Sequence, residues 1–516
     1  MKKAISMVLC SAVMLSAMAG CSGSTGSTSN SASSTATSTA KQKDVTTLIW
    51  QYPSSGSVGS GFQDVENALN AKLEKDIGVH VKLEPVGLMD SQKKAALMIS
   101  SGEQLDISLT AFTTMGPLVD AGQIKPIDDL LDKYGKDIKE QCGSLLEGCK
   151  YNGKTYGVCP AYLQGHSYGY LIRNDMMKKY GITIDQNKKY TMDDLSEIFA
   201  KVKAGEGKGF YCTIPWNTTE DPANNSYIPY DKLSGSLAGG VLMLNRSFTD
   251  LKIENLFTTP EYASYAKTMY DWTKKGYISP DAAVTTVFPD AQMSSKKYLG
   301  EFYWGDPSTE KVYGSTVGMD LTPIPMVDGY VANNGGQNII WNIPTTTINA
   351  EKAIQTLNYI YKNKEAAWLL QYGIEGKSYD VVQKSDEGML IKYKSADTAK
   401  LPYFQPYGIY GNRLDWPVVA PSPIDLNKQL KKGDASIPAS RYSPAVGYNF
   451  VQTKVSSKIA AVDTVIKQYT PSINSGALDP EKSLPQFINA LKAAGIDDII
   501  KENQDQLNKW AANQKK

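Results

Sequence analysis

At 516 residues, 41% of them hydrophobic and 21% charged, the chain is long enough to bury sizeable cores without a disulfide staple, and a size of about 150 residues per domain gives roughly two to four domains. Its 54 Lys and Arg against 53 Asp and Glu leave a formal charge of +1, which becomes −1 if Lys2 and Lys3 leave with a leader; neither value gives the basic footprint that nucleic acid requires. No uninterrupted apolar run reaches the roughly 18 residues needed to span a bilayer. Tyr, at 31, outnumbers Phe, at 11, and Tyr and Trp join a flat apolar face to a polar tip, as pockets for sugars or peptides require.

The chain opens on a positive Met1-Lys2-Lys3, then a mostly apolar Ala4 to Ala19, then small residues before Cys21, the pattern of a secretory signal. The end of this segment, Ala17-Met18-Ala19-Gly20-Cys21, resembles a bacterial lipobox, in which the cysteine is lipidated and becomes the new N-terminus. Met18 stands where that pattern prefers Leu. Residues 22–40 contain only Ser, Thr, Gly, Ala and Asn, so they bury no apolar area and read as a flexible tether. With residues 1–20 cleaved and Cys21 acylated, Cys142, Cys149, Cys159 and Cys212 remain. Their spacing matches no zinc pattern, and it leaves a surface disulfide among the first three and buried thiols both open.

The body begins as a βα alternation. Thr46 to Trp50 reads as a strand and Gln51 to Gly61 as a Ser/Gly/Pro-rich loop. Phe62, Val65, Leu69, Leu73 and Ile77 recur at helical spacing, and Gly78 stops that helix. Val79, Val81 and Leu83 alternate with polar residues as a second strand. A helix near Gln92 to Ser101, a strand at Ile107 and Leu109, and a helix from Thr113 to Ala121 follow. Such alternation predicts an α/β fold, a sheet covered by helices, with ligands beyond the carboxyl ends of the strands.

Tyr151 to Val158 reads as a hairpin, and Tyr168, Tyr170 and Ile172 alternate before a helix from Asn174 to Tyr180. Helices are also predicted over Met192 to Lys203, Tyr262 to Lys275, Glu351 to Lys362 and Lys364 to Tyr372, with a buried strand over Asn338 to Thr347. Asp479-Pro480-Glu481 starts a tail helix that Gly495 ends, and Ile496, Ile499, Ile500, Leu507 and Trp510 stripe the last helix.

Several blocks together are familiar. Ser-Gly-Glu-Gln-Leu-Asp-Ile at 101–107 and Leu-Val-Asp-Ala-Gly-Gln-Ile-Lys-Pro-Ile-Asp-Asp-Leu-Leu at 118–131 resemble family 1 extracellular solute-binding proteins of bacterial ABC importers. Asn-Gly-Lys-Thr-Tyr-Gly-Val at 152–158 and Ile-Arg-Asn-Asp-Met-Met-Lys-Lys-Tyr-Gly-Ile at 172–182 are similar to that family's second block. Tyr-Gly-Ile-Glu-Gly-Lys-Ser-Tyr at 372–379 and the ending at 491–510 resemble a subgroup with a further C-terminal domain, whose usual cargo is oligosaccharide.

The resemblance implies a periplasmic-binding-protein-like fold: two α/β lobes joined by crossing hinge strands, with a helical C-terminal tail. The expected N-terminal lobe is 45–160 plus about 317–372, and the C-terminal lobe 161–316 plus about 373–516. It further implies a monomer held by lipid at Cys21 on the extracellular face of the cytoplasmic membrane. Such a protein closes on cargo and delivers it to a permease, with no cofactor or metal and no catalysis.

A pyranose stacks its C–H faces on Trp or Tyr and offers its hydroxyls to Asp, Asn, Gln or Arg, so aromatic residues in loops beside polar partners are the candidates. Gln51 and Tyr52 follow the first strand, Phe112 follows the third, and Tyr162 and Gln164 sit near the expected first crossing. Trp216 with Asn217, and Tyr303 and Trp304 with Asp306, form further clusters. Trp341 and Asn342 lie near a later crossing, and Tyr407, Arg413 and Trp416, beside Asn412, fall in a Pro/Gly-rich stretch.

Gly165-His166-Ser167-Tyr168-Gly169 fits G-x-S-x-G, but that chemistry needs a strand-turn-helix and a later histidine. The two histidines are His80 and His166, and neither follows Ser167. Glycoside hydrolysis needs two carboxylates flanking a cleft. Glu301 with Asp306, or Glu220 with Asp221, would be the pairs, and a tethered glycosidase or a peptide receptor is the alternative function. Gly205 to Gly209 lacks the full phosphate-loop pattern and reads as a turn.

Overall fold

The computed structural model describes residues 45–54, 58–163, 165–215, 228–233, 235–305, 309–333 and 339–514. The expected leader, Cys21 and the tether lie outside the described residues.

Strand β1 (Thr46–Ser54) runs parallel to β2 (Val79–Gly87), paired residue for residue from Thr46–Val79 to Ser54–Gly87. The strand therefore continues through Gln51 and Tyr52, where the Ser/Gly/Pro composition predicted a loop. Gln51 is buried here because its amide does backbone work: Nε2 donates to the Ser91 carbonyl at 3.1 Å and Oε1 accepts from Leu109 N–H at 2.9 Å. Helix α1 (Phe62–Ile77) makes the crossover, burying Val65, Leu69 and Leu73. Gly78 ends it in the left-handed region (φ 64°), donating to the Glu74 and Leu73 carbonyls, a position that glycine fills without strain.

A parallel bridge from Trp50 to Ile107 attaches β3 (Ser108–Ala111) to β1. The short β4 (Gly157–Val158) belongs to the same sheet. The central strand β5 (Gly165–Arg173) of a second sheet lies between β6 (Gly300–Gly305) and β7 (Leu321–Val331), antiparallel to both. Strand β8 (Ile339–Asn342) then returns to the first sheet, antiparallel to β3 and β4. The predicted βα alternation thus describes the first sheet's opening, whereas the second sheet is built by antiparallel pairing of distant segments.

Two large apolar cores follow. The first joins Leu48, Trp50, Leu69 and Leu109 to Trp341, Leu357, Tyr403 and Tyr410. The second joins Tyr170, Phe199, Trp272 and Phe302 to Tyr330 and to Ile459, Phe487, Ile499 and Leu507 of the tail. The segments divide differently from the expected 317 and 373 boundaries. Leu321–Val331 pairs with β5, so Ile324 and Tyr330 belong to the second core. Residues 379–419 belong to the first, because Tyr379, Ile391, Tyr403 and Trp416 pack there. The helical tail forms as predicted: Asp479 caps Pro480–Ala494 by accepting from Glu481 N–H, and Gly495 (φ 97°) precedes Ile496–Gln514. No described helix is long and apolar enough to cross a membrane.

Candidate binding cleft

The chain passes between the two cores three times, and these passages locate the candidate cleft. The first runs from Ala161 to Gly165. Ala161 is buried in the first core, and four residue steps reach at most about 14 Å, so that core and the start of β5 must lie close together. Ala161 N–H donates to the Gly411 carbonyl and Arg413 N–H donates to the Ala161 carbonyl, both at 3.0 Å, so residues 411–413 run alongside. The second passage leaves Val331 and enters β8 at Ile339. The third returns through the helix Leu426–Ala435 to Ser443, whose N–H donates to the Val331 carbonyl at 2.7 Å.

Buried polar groups fix these passages. Asp231 accepts from Asn333 N–H at 3.0 Å, and Asn333 bonds Gly447 N–H and the Tyr448 carbonyl through its amide. Burial pushes the Asp231 carboxyl up to about 6, against the opposing pull of the Ser443 hydroxyl and Asn333 N–H. Residue type and spacing gave no sign of this cluster, because its members are separated by about a hundred residues each. Further along, Thr453 donates to Asp120 and Asn449 donates to the Lys150 carbonyl, bracing the cores around a cavity of about 210 Å³ lined by Pro117, Tyr151 and Phe450.

Two sheet edges open on the passages. On the first core these are the end of β3, the exit from β4 and the entry to β8. Phe112, immediately after β3, is 59% exposed and holds φ at 52°, a left-handed conformation that costs a non-glycine residue about 1–2 kcal/mol. Strain combined with an exposed aromatic ring at a strand end is the arrangement expected of a contact residue. Tyr162, leaving β4, carries the Arg413 guanidinium 3.6 Å from its ring centre. On the second core, Ser167 donates to the Gly305 carbonyl at 3.1 Å, and Tyr168 stacks on Tyr330 with centroids 5.6 Å apart. Tyr303 is half-buried over two glycines: a Cβ on Gly169 would sit 2.8 Å from its ring and one on Gly305 only 2.2 Å. Burial raises its phenol to about 12.

The structure thus places Phe112, Tyr162, Tyr303 and Arg413 at the passages or strand ends, and packs Tyr407, six residues before Arg413, half-buried against the first core. Five expected residues sit inside the first core instead. Gln51 is engaged as described, and Tyr52 donates to the Tyr403 hydroxyl at 2.8 Å. Trp341 donates to the Ile409 carbonyl at 2.9 Å, and Asn342 accepts from Thr110 at 2.7 Å and donates to the Tyr156 carbonyl at 2.9 Å. Trp416 meets Tyr372 edge-on. Gln164, Trp216, Asn217, Asp306 and the Trp304 side chain lie outside the described residues. The aromatic pair Tyr168–Tyr330 was missed as a candidate; Tyr168 had been legible only as one face of an alternating strand.

The G-x-S-x-G segment lies in the continuous strand β5, bonded on both sides, rather than in a strand-turn-helix elbow. His80 bonds Glu74 at 2.6 Å from β2, in the other sheet. Glu301 is 5% exposed; burial lifts its carboxyl to about 8, and its Oε2 has no hydrogen-bond partner among the described residues. Cys142, Cys149, Cys159 and Cys212 are buried and form no disulfide among the described residues. Among the described residues no group of three His, Cys, Asp or Glu side chains could hold a metal ion. A larger groove of about 1070 Å³, lined by Lys75, Tyr134, Tyr359 and Trp368, lies where α1 ends against the helices of 350–372 and includes no residue of the passages.

Comparison with known proteins agrees with this architecture. A curated relative, the carbohydrate ABC transporter substrate-binding protein of Streptococcus pneumoniae serotype 4 (strain ATCC BAA-334 / TIGR4), is 23% identical over 453 residues, covering 86% of this chain and 87% of the relative. Among solved structures, the N-glycan transport solute binding protein (NgtS) from Streptococcus pneumoniae superposes with a TM-score of 0.76 at 22% identity, covering 92% of this chain and all of that one. An extracellular solute-binding protein from Bifidobacterium longum subsp. infantis gives 0.65 at 16% identity, with 92% and 100% coverage. Residues 444–512 match a domain of unknown function. The profile of bacterial extracellular solute-binding proteins matches residues 68–387, more than half of the sequence, and the chain belongs to that family.

Proposed function

We propose that this chain is the lipid-tethered substrate-binding component of a bacterial ABC importer, capturing an oligosaccharide between its two cores and passing it intact to a permease. The observation that carries the reading is the first passage. Only residues 162–164 separate Ala161, buried in the first core, from β5, and aromatic side chains stand on both sides. The relatives point the same way: one is a carbohydrate transporter component, and NgtS has been solved in complex with Man5GlcNAc, at a TM-score of 0.66 to this chain.

The physics is that of a two-state hinge. Cargo touching only one core would bind open and closed forms equally and shift nothing. Cargo touching Phe112 and Tyr162 on one side and Tyr303 on the other favours closure by its extra contacts. Moving the equilibrium from 1:99 to 99:1 takes about 10⁴-fold tighter binding to the closed form. The lipid on Cys21 and the Ser/Thr/Gly tether keep the receptor at the membrane, on its extracellular face.

A glycosidase would need two carboxylates facing the cargo. Glu301 is enclosed within the protein, and the other expected acids, Glu220, Asp221 and Asp306, lie outside the described residues. Mixing purified protein with a panel of oligosaccharides tests the proposal. Saturable tryptophan fluorescence shifts with glycans recovered uncut support it; cleaved product overturns it.

A further inference from the structure

The chain has four arginines. Three spend their guanidinium donors within the protein. Arg173 bonds Asp175 and the Lys296 and Tyr298 carbonyls. Arg246 bonds Glu254 and Glu261. Arg441 bonds the Asp328 and Gly329 carbonyls. Arg413 differs: among the described residues its guanidinium donates no hydrogen bond and meets no carboxylate within 4.0 Å, although it is held in place.

The holding is specific. One face of the guanidinium lies 3.6 Å from the centre of the Tyr162 ring. Behind it runs Gly408, where a Cβ would come within 2.7 Å of Arg413 Nε and 3.0 Å of Cζ, so any larger residue would collide with the group. Its backbone is fixed by the bond to the Ala161 carbonyl. The carboxylate nearest in sequence, Asp415, is taken by Lys431 at 3.0 Å and Lys364 at 3.4 Å. A planar cation is thus clamped at the first passage between the cores, half-buried, with its donor edge unused.

We propose that Arg413 reads an acidic group on the cargo, so that the preferred ligand is an oligosaccharide bearing a carboxylate. This rests on the proposed sugar capture and narrows it. Closing the two cores over Arg413 with a neutral glycan would strip water from a charge that has no counter-ion, which opposes closure. A carboxylate supplies the counter-charge and matches the guanidinium fork with two parallel N–H···O bonds.

The test compares matched pairs on the full chain by calorimetry: sialyllactose against lactose, and trigalacturonate against a neutral galactose trimer. The wild-type protein should bind at least one acidic member about tenfold or more tighter than its neutral partner. Arg413→Gln should shrink that difference to within about twofold, by weakening the acidic ligand much more than its neutral partner. Arg413→Lys should restore part of it, since a point charge remains without the fork. Neutral members binding as tightly as acidic ones to the wild type, or Arg413→Gln weakening both alike, overturns the inference while sugar capture stands. Should no glycan of either kind bind, the proposed function falls and the inference with it. The wild-type comparison decides even if a variant fails to fold.

Discussion

Trp341 on β8 lies flat against Tyr410, with ring centroids 5.6 Å apart and planes 22° from parallel, while its indole N–H donates to the carbonyl of Ile409. Trp50 stands edge-on to both, at 5.5 and 6.0 Å. This triplet ties β1 and β8 to the segment that immediately precedes Gly411–Arg413, and so sets where the first passage can run.

Trp341→Ala should therefore cost about 3–5 kcal/mol, the usual cost of emptying a buried aromatic site. A large drop in the urea midpoint checks this. Trp341→Phe should be milder and should leave glycan affinity within about twofold. If it instead weakens binding strongly with stability unchanged, Trp341 touches cargo rather than packing the core.

Phe112 gives the opposite pattern. Its φ of 52° suits glycine better than phenylalanine, and its ring is exposed. Phe112→Gly should leave stability unchanged or raise it by about 1 kcal/mol, while weakening oligosaccharide binding about tenfold. Paired melting and binding curves separate the two effects, and unchanged affinity would remove Phe112 from the cleft.

Burial lifts the Glu301 carboxyl to about 8 from its ordinary 4.5. Below about pH 4.5 both folded and unfolded chains hold the proton, so its stabilising effect is fully present there. Between 4.5 and 8 only the folded chain holds it, and stability falls as pH rises, by up to about 1.4 kcal/mol per pH unit from this group. Above 8 the loss levels off. Urea midpoints between pH 5 and 9 should decline less steeply for Glu301→Gln than for the wild type; parallel curves would contradict this.

The four body cysteines are buried and form no disulfide among the described residues. Burial pushes the Cys212 thiol up to about 12, and the contact with Cys159, together with burial, holds Cys142 well above its usual range. A thiol-reactive dye should label none of them in the native body, and all four after unfolding in urea. Labelling of fewer than four after unfolding without reductant would reveal a disulfide.

Local patterns were legible where the physics is local. The Phe62–Ile77 periodicity, the Gly78 stop and the Asp479-Pro480 start each specify an element within one or two turns, and each forms as read. Which elements share a core was not legible. Leu321–Val331 pairs with β5 through backbone bonds that any extended segment could make, and the 379–419 segment joins the first core through aromatic contacts such as Tyr372–Trp416 and Tyr52–Tyr403. The same limit governed the site. A Trp-Asn or Gln-Tyr pair beside a strand has the composition of a sugar contact, but Trp341, Asn342, Gln51 and Tyr52 meet their partners 40 to 351 residues away inside the protein. Arg413 was recognisable by type; that its neighbouring Asp415 is occupied by two lysines was not.

Small-angle scattering of the protein with and without a saturating glycan addresses the central proposal most directly. A cleft that closes on cargo should show a smaller radius of gyration with ligand, reversible on dialysis, with the glycan recovered uncut. Identical scattering profiles at proven saturation, or a glycan returned as fragments, would contradict capture by closure.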